Sequence, residues 1–137
     1  MRFDERGQVT AFVVVFVMAL LLFAGLVLDG GLVLAAKRRA VNEAEAAARA
    51  GAQALDLAAY RATGAVVLDP GQARRSARQY LEATGHEGEV SVGSDEVAVT
   101  VRFSQPMQIL GIGGLGSVGV VGTGRARAAH GVDREDP

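Results

Sequence analysis

The longest apolar run in the chain lies near its N-terminus. From Val9 to Leu28 the sequence reads VTAFVVVFVMALLLFAGLVL, in which Thr10 is the one polar residue. About 20 such residues, at roughly 1.5 Å of rise each, cross a hydrocarbon core of about 30 Å. A single segment in lipid must be helical because its backbone has to satisfy its own hydrogen bonds. The pattern therefore predicts one transmembrane helix over residues 9–28, after a short N-terminus of residues 1–8.

Two other interpretations of this run are weaker. A core helix that is apolar on all sides needs a larger domain around it than the rest of this chain could form. A cleaved secretory signal has a shorter apolar region, of about 7–15 residues, which ends in small residues before a cut site. This run ends at Leu28-Asp29-Gly30-Gly31, without an A-x-A pattern. We therefore expect an uncleaved anchor. Its orientation stays open, because basic residues flank both ends in nearly equal number.

Alanine dominates the region after the anchor and predicts a helical stem over residues 29–62, since alanine is the best helix former. Gly30-Gly31 predicts a hinge where the stem leaves the membrane. Its alanines recur at a spacing of four residues, which places them on one helix face: Ala36, Ala40, Ala44, Ala48 and Ala52. A face of small residues lets another backbone approach closely. That backbone belongs either to the chain's own C-terminal domain or to another subunit, and the sequence leaves both alternatives open.

The pattern after the stem predicts a short helix. Asp69 and Pro70 are typical of a helix N-cap and first helical position, and Gly85 is a typical C-terminal stop. The arginines of this helix, Arg74, Arg75 and Arg78, are expected on a solvated face.

Alternating apolar and polar residues then predict an antiparallel hairpin, with a turn at residues 93–96 and an end at Pro106. A third strand is expected from Ser117 to about Ala128. The predicted fold class is therefore α+β: a transmembrane helix that continues into an alanine-rich stem helix, then a short helix and a small three-stranded antiparallel sheet. Residues 63–130 would form the small α+β domain, and residues 131–137 a disordered tail.

Charge and composition exclude several classes of function. The net charge is −1, from 14 basic and 15 acidic residues, and no clustered basic surface for nucleic acid is evident. The chain has no cysteine, which excludes disulfides, thiolate nucleophiles and cysteine-based zinc sites. Two histidines, His86 and His130, are too few for a multi-histidine metal site. We expect no metal and no cofactor.

The sequence contains no recognisable catalytic motif. Gly111–Gly116 matches G-x-G-x-x-G, but no strand-turn-helix context surrounds it, so a surface loop is expected. His86 and His130 have no nucleophile or acid at a recognisable spacing, and both are expected to be exposed loop residues. Glu43 and Glu45 lie two residues apart and point to different sides of a helix, so they cannot form a carboxylate pair. We predict that the protein has no catalytic residues and is not an enzyme.

The order of motifs in the first 60 residues resembles a known family. Arg6-Gly7-Gln8 precedes the apolar run, Asp29-Gly30-Gly31 follows it, and Lys37-Arg38-Arg39 precedes the segment Val41–Ala48, VNEAEAAA. This arrangement resembles the TadE/TadG-like proteins of Tad (Flp) pilus assembly. Asp29, Asn42 and Glu45 occupy positions where that family has an aspartate, an asparagine and an aspartate. The hairpin, glycine-rich loop and final strand are also similar to the family's small extracytoplasmic domain, although less closely.

The resemblance implies a pilin-like structural or assembly protein of the cell membrane. Its N-terminus would be cytoplasmic and its C-terminal domain extracytoplasmic. Its partners would be the membrane and other pilus-assembly or pilin proteins, in a homo- or hetero-oligomer. Prepilin-type members are cut after a glycine and have glutamate at the fifth residue beyond it. Phe12 stands at that position after Gly7, so the sequence argues against cleavage after Gly7 and favours the uncleaved, TadG-like role.

Two hypotheses from other classes remain. The chain could be an anchored extracytoplasmic binding module, or a secretion accessory protein unrelated to pili; the sheet domain would then bind a small ligand or a peptide. A membrane-tethered enzyme would instead need a cluster of titratable residues in a pocket, which the sequence does not supply.

Overall fold

The computed structural model describes residues 5–129, with side chains from residue 7 onward. It confirms the predicted α+β class, with a long apolar first helix and a three-stranded antiparallel sheet. Its elements are, in chain order, α1 (Glu5–Ala52), α2 (Leu57–Thr63), α3 (Pro70–Thr84), β1 (Glu87–Val92), β2 (Glu96–Pro106), a 3-10 turn (Leu110–Gly113) and β3 (Ser117–Arg127). The predicted tail at residues 131–137 lies outside the described residues, as does His130.

The chain divides into two compact units. The first, called here the anchor unit, consists of the described residues up to Ala35 together with Gln105–Val118. The second, called the sheet unit, consists of Ala36–Ser104 together with the described residues from Gly119 onward.

Helix α1 differs from the sequence prediction at two places. It passes through Gly30 and Gly31 without a break, so the predicted hinge is not found. It also ends at Ala52, before the predicted end of the stem at residue 62. After a short turn, Asp56 begins a new helix. The Asp56 carboxylate accepts hydrogen bonds from the backbone N–H groups of Ala58 and Ala59, both at 2.9 Å. These bonds satisfy donors that the first turn of a helix cannot satisfy itself.

Helix α3 begins and ends where its cap residues predict. Asp69 Oδ1 accepts a hydrogen bond from Gln72 N at 3.0 Å, and Pro70 occupies the first helical position. Gly85 ends the helix in the left-handed region, with φ of 75°. One face, with Ala73, Ala77 and Leu81, is buried. The three arginines Arg74, Arg75 and Arg78 are exposed.

The sheet has the strand order β1-β2-β3. Strands β1 and β2 form the expected hairpin, in which Val92 pairs with Val97 and Glu87 pairs with Arg102. Val97, Val99 and Val101 of β2 are buried, because side chains alternate between the two faces of a strand. Small residues of α1 and α3 pack against these valines, and together they form the main core of the sheet unit: Ala44, Ala47, Ala48, Ala73, Ala77, Leu81, Val97, Val99 and Val101.

Candidate functional site

Asp29 is a buried carboxylate in the anchor unit. It belongs to α1, and only 1% of its surface is exposed. Its Oδ1 accepts a hydrogen bond from Gln108 N at 2.9 Å, and its Oδ2 accepts from Ile109 N at 3.1 Å and from Leu110 N at 2.7 Å. These three backbone groups lie directly before and at the start of the 3-10 turn. Asp29 therefore caps this turn from a position 79 to 81 residues away in the chain.

This capping explains how a carboxylate can be buried here. The first N–H groups of a helical turn have no partner within the turn. Hydrogen bonds to an ionised acceptor are shorter and stronger than those between neutral groups. A buried charge is costly unless it is hydrogen-bonded, and the backbone donors at residues 108–110 provide that compensation. The role open to Asp29 is thus to order the segment Met107–Gly116, called here the capped loop.

The capped loop is also closed by its own backbone. Met107 N donates to Gly116 O at 3.1 Å, and Leu115 N donates to Leu110 O at 3.2 Å. Gly114 has φ of 102°, a conformation that residues with a Cβ rarely adopt. The loop is therefore an ordered structure rather than an open connection.

Gly25 provides the second contact between α1 and the capped loop. It lies one helical turn before Asp29 and is buried. A Cβ at this position would lie 2.7 Å from Cγ2 of Ile109, which is closer than two carbon atoms can approach. Gly25 therefore gives Ile109 room against α1, and Asp29 holds the backbone of the same residue. The two positions together bind the loop to one face of the helix.

The predicted small-residue face of α1 is buried within the sheet unit. Its five alanines are 3%, 0%, 0%, 0% and 8% exposed, in the order Ala36, Ala40, Ala44, Ala48 and Ala52. Strand β3 covers the middle of this face with glycines. A Cβ on Gly122 would overlap the backbone of Ala40, and a Cβ on Gly124 would overlap the backbone of Ala44 and Glu45. The face is thus occupied by the chain's own strand rather than left open to a second subunit.

One further contact joins α1 to β3, through the charged side chain of Lys37. The ammonium group of Lys37 donates a hydrogen bond to the backbone carbonyl of Val121. Ala36, Ala40 and Val120 form a small apolar cluster beside it. The helix face and β3 are therefore held together by both apolar and polar contacts.

The helix that carries these contacts is similar to a known protein family. Residues 7–54 match the family described as putative Flp pilus-assembly TadE/G-like. This match confirms the resemblance inferred from the motifs, and it covers α1 from Gly7 to its end. No curated protein and no solved structure matches the chain. The capped loop, α3 and the sheet lie beyond the TadE/G-like segment, as residues 7–54 are called below.

The three positions that the resemblance marks as family motifs differ in their surroundings. Asp29 is the capping carboxylate of the anchor unit, whereas Asn42 and Glu45 belong to the sheet unit. Asn42 is exposed, and Glu45 is half-buried and lies 3.8 Å from Arg49. Such a surface ion pair contributes little to stability, at most about 1 kcal/mol. Gly7 is exposed within α1, with no side chain near it.

His86 is not the exposed loop residue that the sequence predicts. Its ring stacks on Phe103 with a centroid separation of 4.5 Å, and its Nδ1 lies 2.8 Å from Glu43 Oε2. Both atoms are buried, and although close they do not meet the geometry of a hydrogen bond. The prediction failed because His86 follows a helix stop, which is usually exposed, whereas here α1 supplies a carboxylate from 43 residues earlier in the chain.

Among the described residues, no group of three His, Asp or Glu side chains is arranged to hold a metal ion. A groove beside α2, lined by residues that include Leu55, Tyr60 and Val66, has a volume of about 200 Å³. Ligand pockets usually begin at about 300 Å³. A second, open groove, lined by residues that include Arg78, His86 and Glu87, has a volume of about 360 Å³. The G-x-G-x-x-G residues 111–116 lie in the capped loop and lead into β3, not into a helix.

Proposed function

We propose that this protein is a membrane-anchored structural component of a Tad (Flp) type pilus or of a related secretion system. One observation supports this most strongly: the TadE/G-like segment contains a helix whose apolar surface is exposed almost all round. Between Val9 and Leu28 every side chain is exposed, apart from the half-buried Ala19, and Gly25 is buried. The chain contains one helix long and apolar enough to cross a membrane within its described residues.

The exposed apolar surface needs an apolar environment. Soluble monomers rarely expose contiguous apolar patches larger than a few hundred Å², because water disfavours apolar surface. A bilayer removes this cost, and the helical backbone satisfies its own hydrogen bonds there. Residues 9–28 would therefore be the anchor, residues 29–62 the stem, and residues 63–130 the small domain that the anchor holds at the membrane.

The proposed orientation follows the family resemblance. The N-terminus would lie in the cytoplasm and the sheet would lie outside the membrane. The protein would act through packing against other pilus-assembly or pilin proteins, without a catalytic step. The alanine face of α1 is already buried within the chain, with β3 over its middle. Partner contacts would therefore use other surfaces of the chain.

A cysteine-accessibility experiment tests the anchor and its orientation. The chain has no native cysteine, so Ser94→Cys in the exposed β1–β2 turn would be the sole thiol. Intact cells are treated with a membrane-impermeant maleimide, and Gln8→Cys at the other end of the anchor serves as the matched control. We expect labelling of Ser94→Cys in intact cells and labelling of Gln8→Cys only after lysis. The reverse pattern would contradict the proposed orientation.

Two further readouts test the pilus role. The intact mass of protein extracted from membranes should correspond to an uncleaved N-terminus; a mass that lacks Met1 to Gly7 would instead indicate processing like that of a prepilin. Deletion of the gene should remove surface filaments counted by electron microscopy, and expression of the intact chain should restore them. An unchanged number of filaments after deletion would refute the pilus proposal while leaving the membrane anchor intact.

A further inference from the structure

The capped loop exposes large apolar side chains at its tip. Ile112 is 89% exposed and Leu115 is 60% exposed, although both are typical core residues. The segment Gln105–Val118, which contains the loop, has no charged residue. An uncharged segment with exposed apolar side chains is typical of a surface that meets another apolar phase.

The attachment of the capped loop to α1 indicates that this apolar phase is the lipid bilayer. Ile109 packs against Gly25, which lies within the proposed anchor, and Asp29, the first residue after that anchor, caps the loop. Gly25 lies three residues before the end of the anchor, or about 4.5 Å along a helix axis. Amphipathic elements that lie in a membrane interface are buried there by about 5–10 Å. With residues 9–28 as the anchor, the loop would lie at the depth where headgroups meet acyl chains.

The backbone of the capped loop forms internal hydrogen bonds, as an apolar environment requires. A polar backbone group that enters an apolar phase without a partner is costly, so its donors must be satisfied internally. Asp29 accepts from the N–H groups of residues 108–110. Carbonyl oxygens of residues 109, 110, 111 and 116 accept from four more N–H groups of the loop: those of Met107, Ile112, Gly114 and Leu115.

We infer that the capped loop is a second membrane contact, which inserts Ile112 and Leu115 into the lipid interface beside the anchor helix. Asp29 is the positioning residue, because it holds the loop backbone at the membrane boundary. The inference rests on the proposed anchor. It adds a lipid-binding function to a segment outside the TadE/G-like match. A contact at two points would restrict rotation and tilt of the anchor relative to the bilayer.

Tryptophan fluorescence tests the inference, because the chain has no native tryptophan. The full chain is reconstituted into phosphatidylcholine vesicles whose lipids are brominated in the upper acyl chain, with unbrominated vesicles as reference. Three single-tryptophan variants are compared: Ile112→Trp in the loop, Phe16→Trp within the anchor and Ser94→Trp in the polar β1–β2 turn. All three positions are exposed, so the larger side chain can be accommodated.

We expect Ile112→Trp to lose most of its fluorescence in brominated vesicles, as Phe16→Trp does, while Ser94→Trp retains its emission. Quenching of Phe16→Trp with no more quenching of Ile112→Trp than of Ser94→Trp would overturn the loop inference alone. Failure of Phe16→Trp to be quenched would overturn the membrane anchor and the inference together. The two failures are therefore distinguishable.

A second reporter excludes insertion driven by tryptophan itself, which prefers membrane interfaces. A nitroxide attached to Ile112→Cys should be more accessible to oxygen, and less accessible to a water-soluble nickel chelate, than one attached to Ser94→Cys. Equal accessibility to the chelate at both positions would overturn the inference. Protection at Ile112 from both oxygen and the chelate would indicate a protein partner on the loop, which also overturns it.

Discussion

Gly122 of β3 lies so close to the backbone of Ala40 in α1 that a Cβ atom does not fit between them. Gly124 has the same relationship to the backbone of Ala44 and Glu45. Four residues of an α-helix advance by about 6 Å, and two residues of a strand advance by about 6.6 Å. Alanines spaced by four can therefore meet strand residues spaced by two, and the strand lies directly on the helix backbone.

The first prediction concerns this close contact. Gly122→Ala should destabilise the sheet unit by about 1–3 kcal/mol, because overpacking forces a shift of backbone atoms. The measurement is urea unfolding of the full chain in detergent, followed by the circular dichroism of the sheet. Gly119→Ala is the matched control in the same strand, since a Cβ there meets nothing within 4 Å. Equal effects of the two substitutions would show that helix and strand do not approach this closely.

Local sequence patterns predicted the elements that depend on neighbouring residues. The apolar run from Val9 to Leu28, the cap residues of α3 and the alternation of valines in β2 all concern positions within a few turns or strand steps. The alanine spacing also predicted a helix face that needs a close backbone. It did not identify the covering backbone, because no local pattern connects Gly122 and Gly124 of the third strand to this helix face.

The contacts that define the candidate site could not be predicted in this way. Asp29 caps a turn 79 to 81 residues away, and no periodicity connects a carboxylate to such a distant backbone donor. The resemblance marked Asp29 as a motif position without indicating its partner. His86 was misplaced for the same reason, since its contact with Glu43 depends on the tertiary packing of α1.

The second prediction concerns the glycine beneath the capped loop. Gly25→Ala should displace Ile109, because the new Cβ would lie 2.7 Å from its Cγ2. The displacement should appear as faster amide hydrogen exchange across the capped loop in the reconstituted full chain. Gly30→Ala is the matched control, since a Cβ there meets nothing within 4 Å. Both substitutions gain the same helix propensity, so only the contact with the loop differs. Unchanged exchange in Gly25→Ala would contradict the packing.

The third prediction concerns the cap itself. Asp29→Asn removes the charge and one acceptor oxygen, and Asp29→Ala removes both acceptors. We expect amide exchange at residues 108–110 to accelerate at least several-fold, and more for alanine than for asparagine, because charge-assisted hydrogen bonds are lost. Asp69→Asn, at the cap of α3, controls for a general effect of losing a capping charge and should leave these amides unchanged. Full protection of residues 108–110 in Asp29→Ala would refute the capping role.

The fourth prediction concerns the half-buried pair of Glu43 and His86. A double-mutant cycle with Glu43→Ala and His86→Ala measures their interaction. The stacking of His86 on Phe103 is lost both in the His86→Ala variant and in the double variant, so its contribution cancels in the cycle. We expect a coupling energy of about 1 kcal/mol, since the facing atoms are 2.8 Å apart and their side chains are only 15% and 27% exposed. The more exposed pair of Glu45 and Arg49 provides the comparison, with an expected coupling of about 0.3 kcal/mol. Equal coupling in the two cycles would show that burial adds nothing to the contact between α1 and His86.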